Sequence, residues 1–244
     1  MSSLNDIAIA TKEYVSKNYA DRVLEPLMDG MSYAYGSGVE GAVAEFGTMT
    51  AKTAVMLATG LTFYNDLYSR KSGAIASKNL ILFDSFKGLP TVEANSIDSQ
   101  SLHVENGSWG PGTCQGVTAS ELGDLVREIL SPSDKFQIVE GFYDDVLADY
   151  PPCKLSMVHI DCDLYSSAKS VLHQLFTKRM VSEGCVIFFD DFFCDRARPF
   201  RGEQLAWLEA ITDFNVEATA FRSYGAYSKA FIVHNYSVER AFSV

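Results

Sequence analysis

The chain has 244 residues and a formal net charge of −11, which argues against nucleic acid or an anionic membrane as its main partner, since both call for a basic surface. At 47% hydrophobic and 21% charged residues it can bury a sizeable core and stay in solution. No apolar run approaches the roughly 20 residues of a membrane helix, and Asp6 breaks the stretch a signal peptide would need.

The opening residues Ile7, Ile9, Ala10, Tyr14 and Val15 recur at loose helical spacing, and a second helical stretch is expected over 23–31. Residues 1–38 are therefore expected to be an N-terminal helical segment whose apolar faces leave room for a homo-oligomer. Its end is expected at Tyr33-Ala34-Tyr35-Gly36-Ser37-Gly38, where two glycines break regularity. From residue 39 onward, short apolar runs at 43–46, 80–83, 136–139, 155–160, 186–189 and 230–233 alternate with amphipathic runs at 51–61, 119–130, 166–180 and 203–211. Continuously apolar strands are buried on both faces, so the expected fold is α/β, a doubly wound, mostly parallel sheet covered by helices. Ligands of such sheets sit at the carboxyl ends of the strands, near the point where strand order reverses.

The first strand should end at Glu45-Phe46-Gly47-Thr48, where the glycine admits close backbone approach and the next helix offers free amides. A plain structural turn would use the same residues. The second strand ends at Leu82-Phe83-Asp84-Ser85, and an acid there can accept from ribose hydroxyls or cap the following turn. Residues 91–117 then form a polar insertion, expected to be a mobile lid, that carries His103 and Trp109-Gly110-Pro111-Gly112. The third strand runs into Glu140-Gly141-Phe142, an acid and an aromatic suited to a nucleobase.

The fourth and fifth strands end at His159-Ile160-Asp161-Cys162-Asp163 and Phe189-Asp190-Asp191. Two adjacent tips would bring four acids into one cleft. Such acids repel one another and take up protons unless a hard cation sits among them. His159 lies within a buried strand and reads as a core residue rather than a ligand. The five cysteines, at 114, 153, 162, 185 and 194, form no Cys-x-x-Cys pair, as expected of free thiols in the cytoplasm.

These blocks resemble the macrocin O-methyltransferase family, class I enzymes that methylate sugar hydroxyls. The carriers are Val39-Glu40-Gly41 with Glu45-Phe46-Gly47, then Asp84-Ser85-Phe86-Lys87-Gly88-Leu89-Pro90. They continue with His159-Ile160-Asp161-Cys162-Asp163-Leu164-Tyr165-Ser166-Ser167 and Phe189-Asp190-Asp191-Phe192. The resemblance implies a seven-stranded methyltransferase domain over 39–244 and S-adenosylmethionine as cofactor. It implies that Glu45, Gly47 and Thr48 flank the methionine part, that Asp84 and Ser85 lie at the ribose, and that Glu140, Gly141 and Phe142 lie near the adenine. Asp161, Asp190 and Asp191 would hold Mg²⁺ or another divalent cation, with Asp163 supporting them or joining them. Asp161 would thus also border the cofactor. Two departures stand out: Lys87 replaces an expected acid, and residues 192–201 do not follow the family pattern.

The expected reaction is methyl transfer to a hydroxyl of a small molecule, a sugar or a glycosylated natural product, with Asp161 or His103 as candidate base. Two other readings compete: a glycosyltransferase using Asp161-Cys162-Asp163 as an Asp-x-Asp motif, and a cofactor-binding subunit without chemistry.

Overall fold

A computed structural model describes residues 22–70 and 77–238, so the helix expected near Ile7 to Val15 lies outside the described residues. In chain order the elements are α1 (Leu24–Gly36), β1 (Ala42–Phe46), α2 (Lys52–Ser69), β2 (Leu80–Asp84), the one-turn α3 (Leu102–Glu105) and α4 (Ala119–Ile129). They continue with β3 (Phe136–Glu140), α5 (Tyr143–Asp149), β4 (Leu155–Ile160), α6 (Tyr165–Thr177), β5 (Val181–Phe189), α7 (Gly202–Phe214), β6 (Glu217–Tyr224) and β7 (Ser228–Asn235).

The seven strands form one sheet in the order β3-β2-β1-β4-β5-β7-β6. Strands β1 to β5 pair in parallel, and β7 joins antiparallel between β5 and β6. Strand order reverses between β1 and β4, which places the switch point at Phe46 and Ile160. Alternate strand residues feed two cores. Ala44, Phe46, Phe83, Val158, Ile160 and Phe189 pack under α5, α6 and α7. Val43, Leu82, Met157 and Phe188 pack under α1, α2 and α4. Burial on both faces is why these strands read as unbroken apolar runs.

Several expectations shift; helix α2, expected over 51–61, runs on to Ser69. Helix α1 continues through the Tyr33–Gly38 region as far as Gly36, because Tyr35 is buried and its hydroxyl donates to Asn65 Oδ1 at 2.6 Å. Strand β5 starts at Val181, ahead of its apolar run, with a register irregularity opposite Leu155 and Met157. Strand β6 had no apolar signature, since it is the outer strand and mostly exposed. No helix among the described residues is long and apolar enough to cross a membrane.

The insertion is folded onto the domain and is not free of it. Asp98 accepts from the backbone amides of Tyr165 and Ser166 at 2.7 and 3.2 Å, capping α6. Asp195 accepts from Ser101 Oγ and the Leu102 amide at 3.0 and 2.7 Å, holding the start of α3. Asp98, Ser101, Trp109 and Asp195 are all buried. Buried carboxylates that receive amide hydrogen bonds make tight anchors, so any movement of this segment must occur between them.

Candidate active site

A cleft opens at the carboxyl ends of β1 to β4. Gly47, Met49, Asp84, Ser85, Gly141, Phe142, Tyr143, Asp161, Cys162 and Asp163 line it. Gly47 has φ +95°, and a Cβ there would stand 1.9 Å from the Asp161 carbonyl oxygen. Its amide donates to Phe83 O at 2.9 Å, while the Asp161 amide donates to Phe46 O at 2.9 Å. Only glycine allows the tips of β1 and β4 to pinch together and form the cleft floor.

Asp84 organises the neighbouring rim. Its Oδ2 accepts from the Thr48 amide, Thr48 Oγ1 and the Met49 amide at 2.7, 3.0 and 3.2 Å. Oδ1 accepts from the Phe86 amide at 2.7 Å, the turn-capping role that the sequence also allowed, and keeps a lone pair for a further donor. Ser85 Oγ donates to Gly88 O and accepts from the Lys87 amide. Thr48 is buried behind the rim, and Glu140 is exposed beside Gly141 without lining the cleft.

Glu45 is buried and does not line the cleft; its Oε1 lies 3.2 Å from His159 Nδ1, and Glu45 Oε2 and His159 Nε2 have no hydrogen-bond partner. Burial depresses the His159 pKa, but the hydrogen bond and charge of Glu45 outweigh it and leave the net shift upward. His159 is thus a core residue held by Glu45. His103 is also absent from the cleft lining, and its ring lies on Trp109 with centroids 4.3 Å apart.

Beyond Asp161 the acids gather. Burial raises the Asp161 pKa well above the carboxylate range, and Asp190, Asp191, Asp163 and Glu203 add to it in that order. Burial likewise lifts Asp163 to about 6 and, with Asp163 beside it, Asp191 to about 7. Asp190 Oδ1 accepts from Ser228 Oγ at 3.2 Å, and Asp191 Oδ1 from Cys194 Sγ at 3.0 Å. Among the described residues, no three His, Cys, Asp or Glu side chains stand as a group that could hold a metal ion.

Glu203 was not legible in the sequence. It reads as an ordinary acid in the first turn of α7, yet it is fully buried, Oε2 accepts from the Asp191 amide at 2.9 Å, and Oε1 has no partner. Burial, then Asp191 and Asp190, push its pKa well up. Cys162, Ser166 and Ser167, members of the Asp161–Ser167 block without an assigned role, also join the cleft, as does Tyr143. All five cysteines are free thiols.

These raised values fix a sign for stability. Between about pH 4 and 7 the folded chain binds more protons at this cluster than the unfolded chain does, so acidification favours folding through these groups. Metal-free protein is expected to melt higher near pH 6 than near pH 8, and Asp163→Asn should shrink the difference. Scanning calorimetry across that window checks it; equal midpoints for the wild type would contradict the clustering.

The family model described as Macrocin-O-methyltransferase (TylF) matches residues 19–217. Among solved structures, "Structure of the O-methyltransferase NovP" is similar at 19% identity and TM-score 0.68, covering 88% of this chain and 80% of that one. "Crystal Structure of CalS11, Calicheamicin Methyltransferase" is similar at 15% identity and TM-score 0.65, covering 95% and 94%. At these identities the likeness carries the Rossmann-like class I methyltransferase fold. Among curated proteins none matches significantly.

Proposed function

Since the chain belongs to the macrocin O-methyltransferase family, we propose that it transfers the methyl group of S-adenosylmethionine to a hydroxyl of a sugar or glycosylated natural product, with a divalent cation at the acidic cluster. The observation that carries this reading is the cleft itself. A glycine floor, an acid-organised β2 rim and the Gly141-Phe142 turn stand on one side, and a cluster of half-buried carboxylates backed by the buried Glu203 stands on the other. Family membership removes the Asp-x-Asp glycosyltransferase reading and makes the chain an O-methyltransferase rather than a subunit without chemistry.

The cofactor would lie along the tips of β1, β2 and β3. Gly47 and Met49 would border its methionine part, the spare lone pair of Asp84 would meet a ribose hydroxyl, and Phe142 would give the adenine an apolar surface. Tyr143 stays a neutral phenol, since burial pushes its pKa well up. Asp161 stands where the β1 and β4 tips meet, between the cofactor side and the acids.

The chemistry of the donor set, rather than its present spacing, suits a hard cation: its members are carboxylates whose pKa values burial and then the neighbouring acids raise, and Glu203 Oε1 is buried without a partner. Asp161, Asp190 and Asp191 would hold the ion, with Asp163 and Glu203 behind them. When bound, a divalent cation lowers the pKa of a hydroxyl and positions it for in-line attack. Asp161 and Asp163 are the carboxylates lining the cleft that could take the proton, and Asp161 is the nearer to the cofactor side. His103, stacked on Trp109 outside the lining, stands further from that role.

The cofactor half is tested without any acceptor. S-adenosylhomocysteine at 100 times its dissociation constant is expected to stabilise the fold by about 2.7 kcal/mol. Absence of a thermal shift and of calorimetric heat at millimolar ligand would remove the methyl-donor assignment.

A further inference from the structure

We infer that residues 1–21 dock as an amphipathic helix on the outer face of α2, over Phe63 and Leu67. Those two side chains lie one helical turn apart and are 58% and 38% exposed. With the partly buried Met56 they recur at i, i+7 and i+11, a single apolar stripe along the helix. The stripe continues into an aromatic surface. The Phe63 and Tyr64 rings meet edge-on at 5.1 Å, and Tyr64 stacks on the buried Tyr35 at 5.4 Å. Met28 of α1 borders it and is also only partly buried, so the groove between α1 and α2 is apolar up to its mouth.

The chain enters the described structure at the head of this stripe. Met28 lies against Gly60, and the Tyr64 hydroxyl donates to Met28 O at 3.3 Å. Further along, the Tyr35 hydroxyl reaches Asn65, and a Cβ on Gly36 would meet the Tyr68 hydroxyl at 3.4 Å. Helices α1 and α2 therefore run side by side in the same direction. Arg22, ahead of Met28 in the chain, comes alongside the first half of α2, the end from which the stripe runs on to Leu67. A helix of 21 residues is about 31 Å long and the 18 residues of α2 about 27 Å, so the segment spans the stripe with residues left over for a turn.

The sequence of the segment fits the role. Read at helical spacing, Leu4, Ile7, Ala8, Thr11, Tyr14 and Val15 share one face. Asp6, Glu13 and Lys17 share the opposite one, and Ile9 alone falls among the charges. A second copy of the chain could cover the same stripe, but two observations favour the segment. Its tether holds it at an effective concentration on the order of millimolar. Two copies that each carry a net charge of −11 repel one another.

Limited trypsin digestion of the full chain tests this, read as the rate of cleavage after Lys12 and Lys17. The wild type is expected to be cut at least about tenfold more slowly than F63E/L67E, because cleavage follows the population of the undocked segment. I7E alters only the segment and should speed cleavage to a similar degree. If F63E/L67E does not fold, I7E decides alone. A wild-type segment cut as fast as those of the variants overturns the docking. Protection that fades on dilution overturns it as well, since the occupant of the stripe would then be a second copy.

Discussion

Replacing Asp161, Asp190 or Asp191 by Ala is expected to cut methyl transfer by about a thousandfold or more while leaving S-adenosylhomocysteine affinity within about threefold. A Lewis-acid site contributes several kcal/mol to the transition state, and about 4 kcal/mol is a thousandfold at roughly 1.4 kcal/mol per decade. The cofactor side is built from Gly47, the Asp84 rim and the Gly141-Phe142 turn, none of which needs these three carboxylates. The same variants should lose Mn²⁺ binding measured by calorimetry, which separates loss of the ion from loss of an acceptor contact. The metal-free fold should be no weaker, because each substitution removes one of several repelling charges. Chelation should silence the wild type and Mg²⁺ restore it. Full activity after exhaustive chelation would make the carboxylates structural.

Gly47→Ala is expected to be the most damaging single change at the cleft floor. Its Cβ would stand 1.9 Å from the Asp161 carbonyl oxygen, and the backbone holds φ +95°. The obstructing atom is backbone, so relief requires β1 and β4 to separate at their tips. A loss of about 3 kcal/mol or more in unfolding free energy follows, with cofactor binding weakened at least tenfold. Gly107→Ala is the control: it has φ +82° with nothing within 4 Å of the added methyl, so only the backbone term of about 1–3 kcal/mol applies and cofactor affinity should hold. Denaturant unfolding of both variants measures the difference. Equal losses would mean that the pinch between the strand tips is not tight.

The sheet was legible where burial is two-sided. Strands β1, β2, β4 and the end of β5 are apolar on both faces, and their boundaries came within a residue or two of the observed ones, apart from the start of β5. Strand β6 was not legible, because an outer strand with exposed Glu217, Thr219 and Ser223 carries no apolar run. The acids at the β4 and β5 tips announced a site, since paired charges ending buried strands need a partner. Their spatial arrangement was less legible. Ser228 and Cys194, distant in sequence or on an irregular turn, take Asp190 and Asp191, and Glu203 enters from a helix where acids are commonplace. The resemblance put Asp84 at a ligand hydroxyl, yet much of its carboxylate organises the backbone of Thr48 and Phe86. The insertion read as a lid because it is polar. Asp98 and Asp195 turn that polarity inward as anchors.

A crystal grown with S-adenosylhomocysteine and Mn²⁺, with anomalous data at the manganese edge, tests the proposed chemistry most directly. The expected map has the homocysteine moiety over Gly47, the ribose at Asp84, the adenine beside Phe142, and one anomalous peak coordinated by Asp161, Asp190 and Asp191. A cofactor bound outside this cleft, or a cation that avoids all three carboxylates, would contradict it.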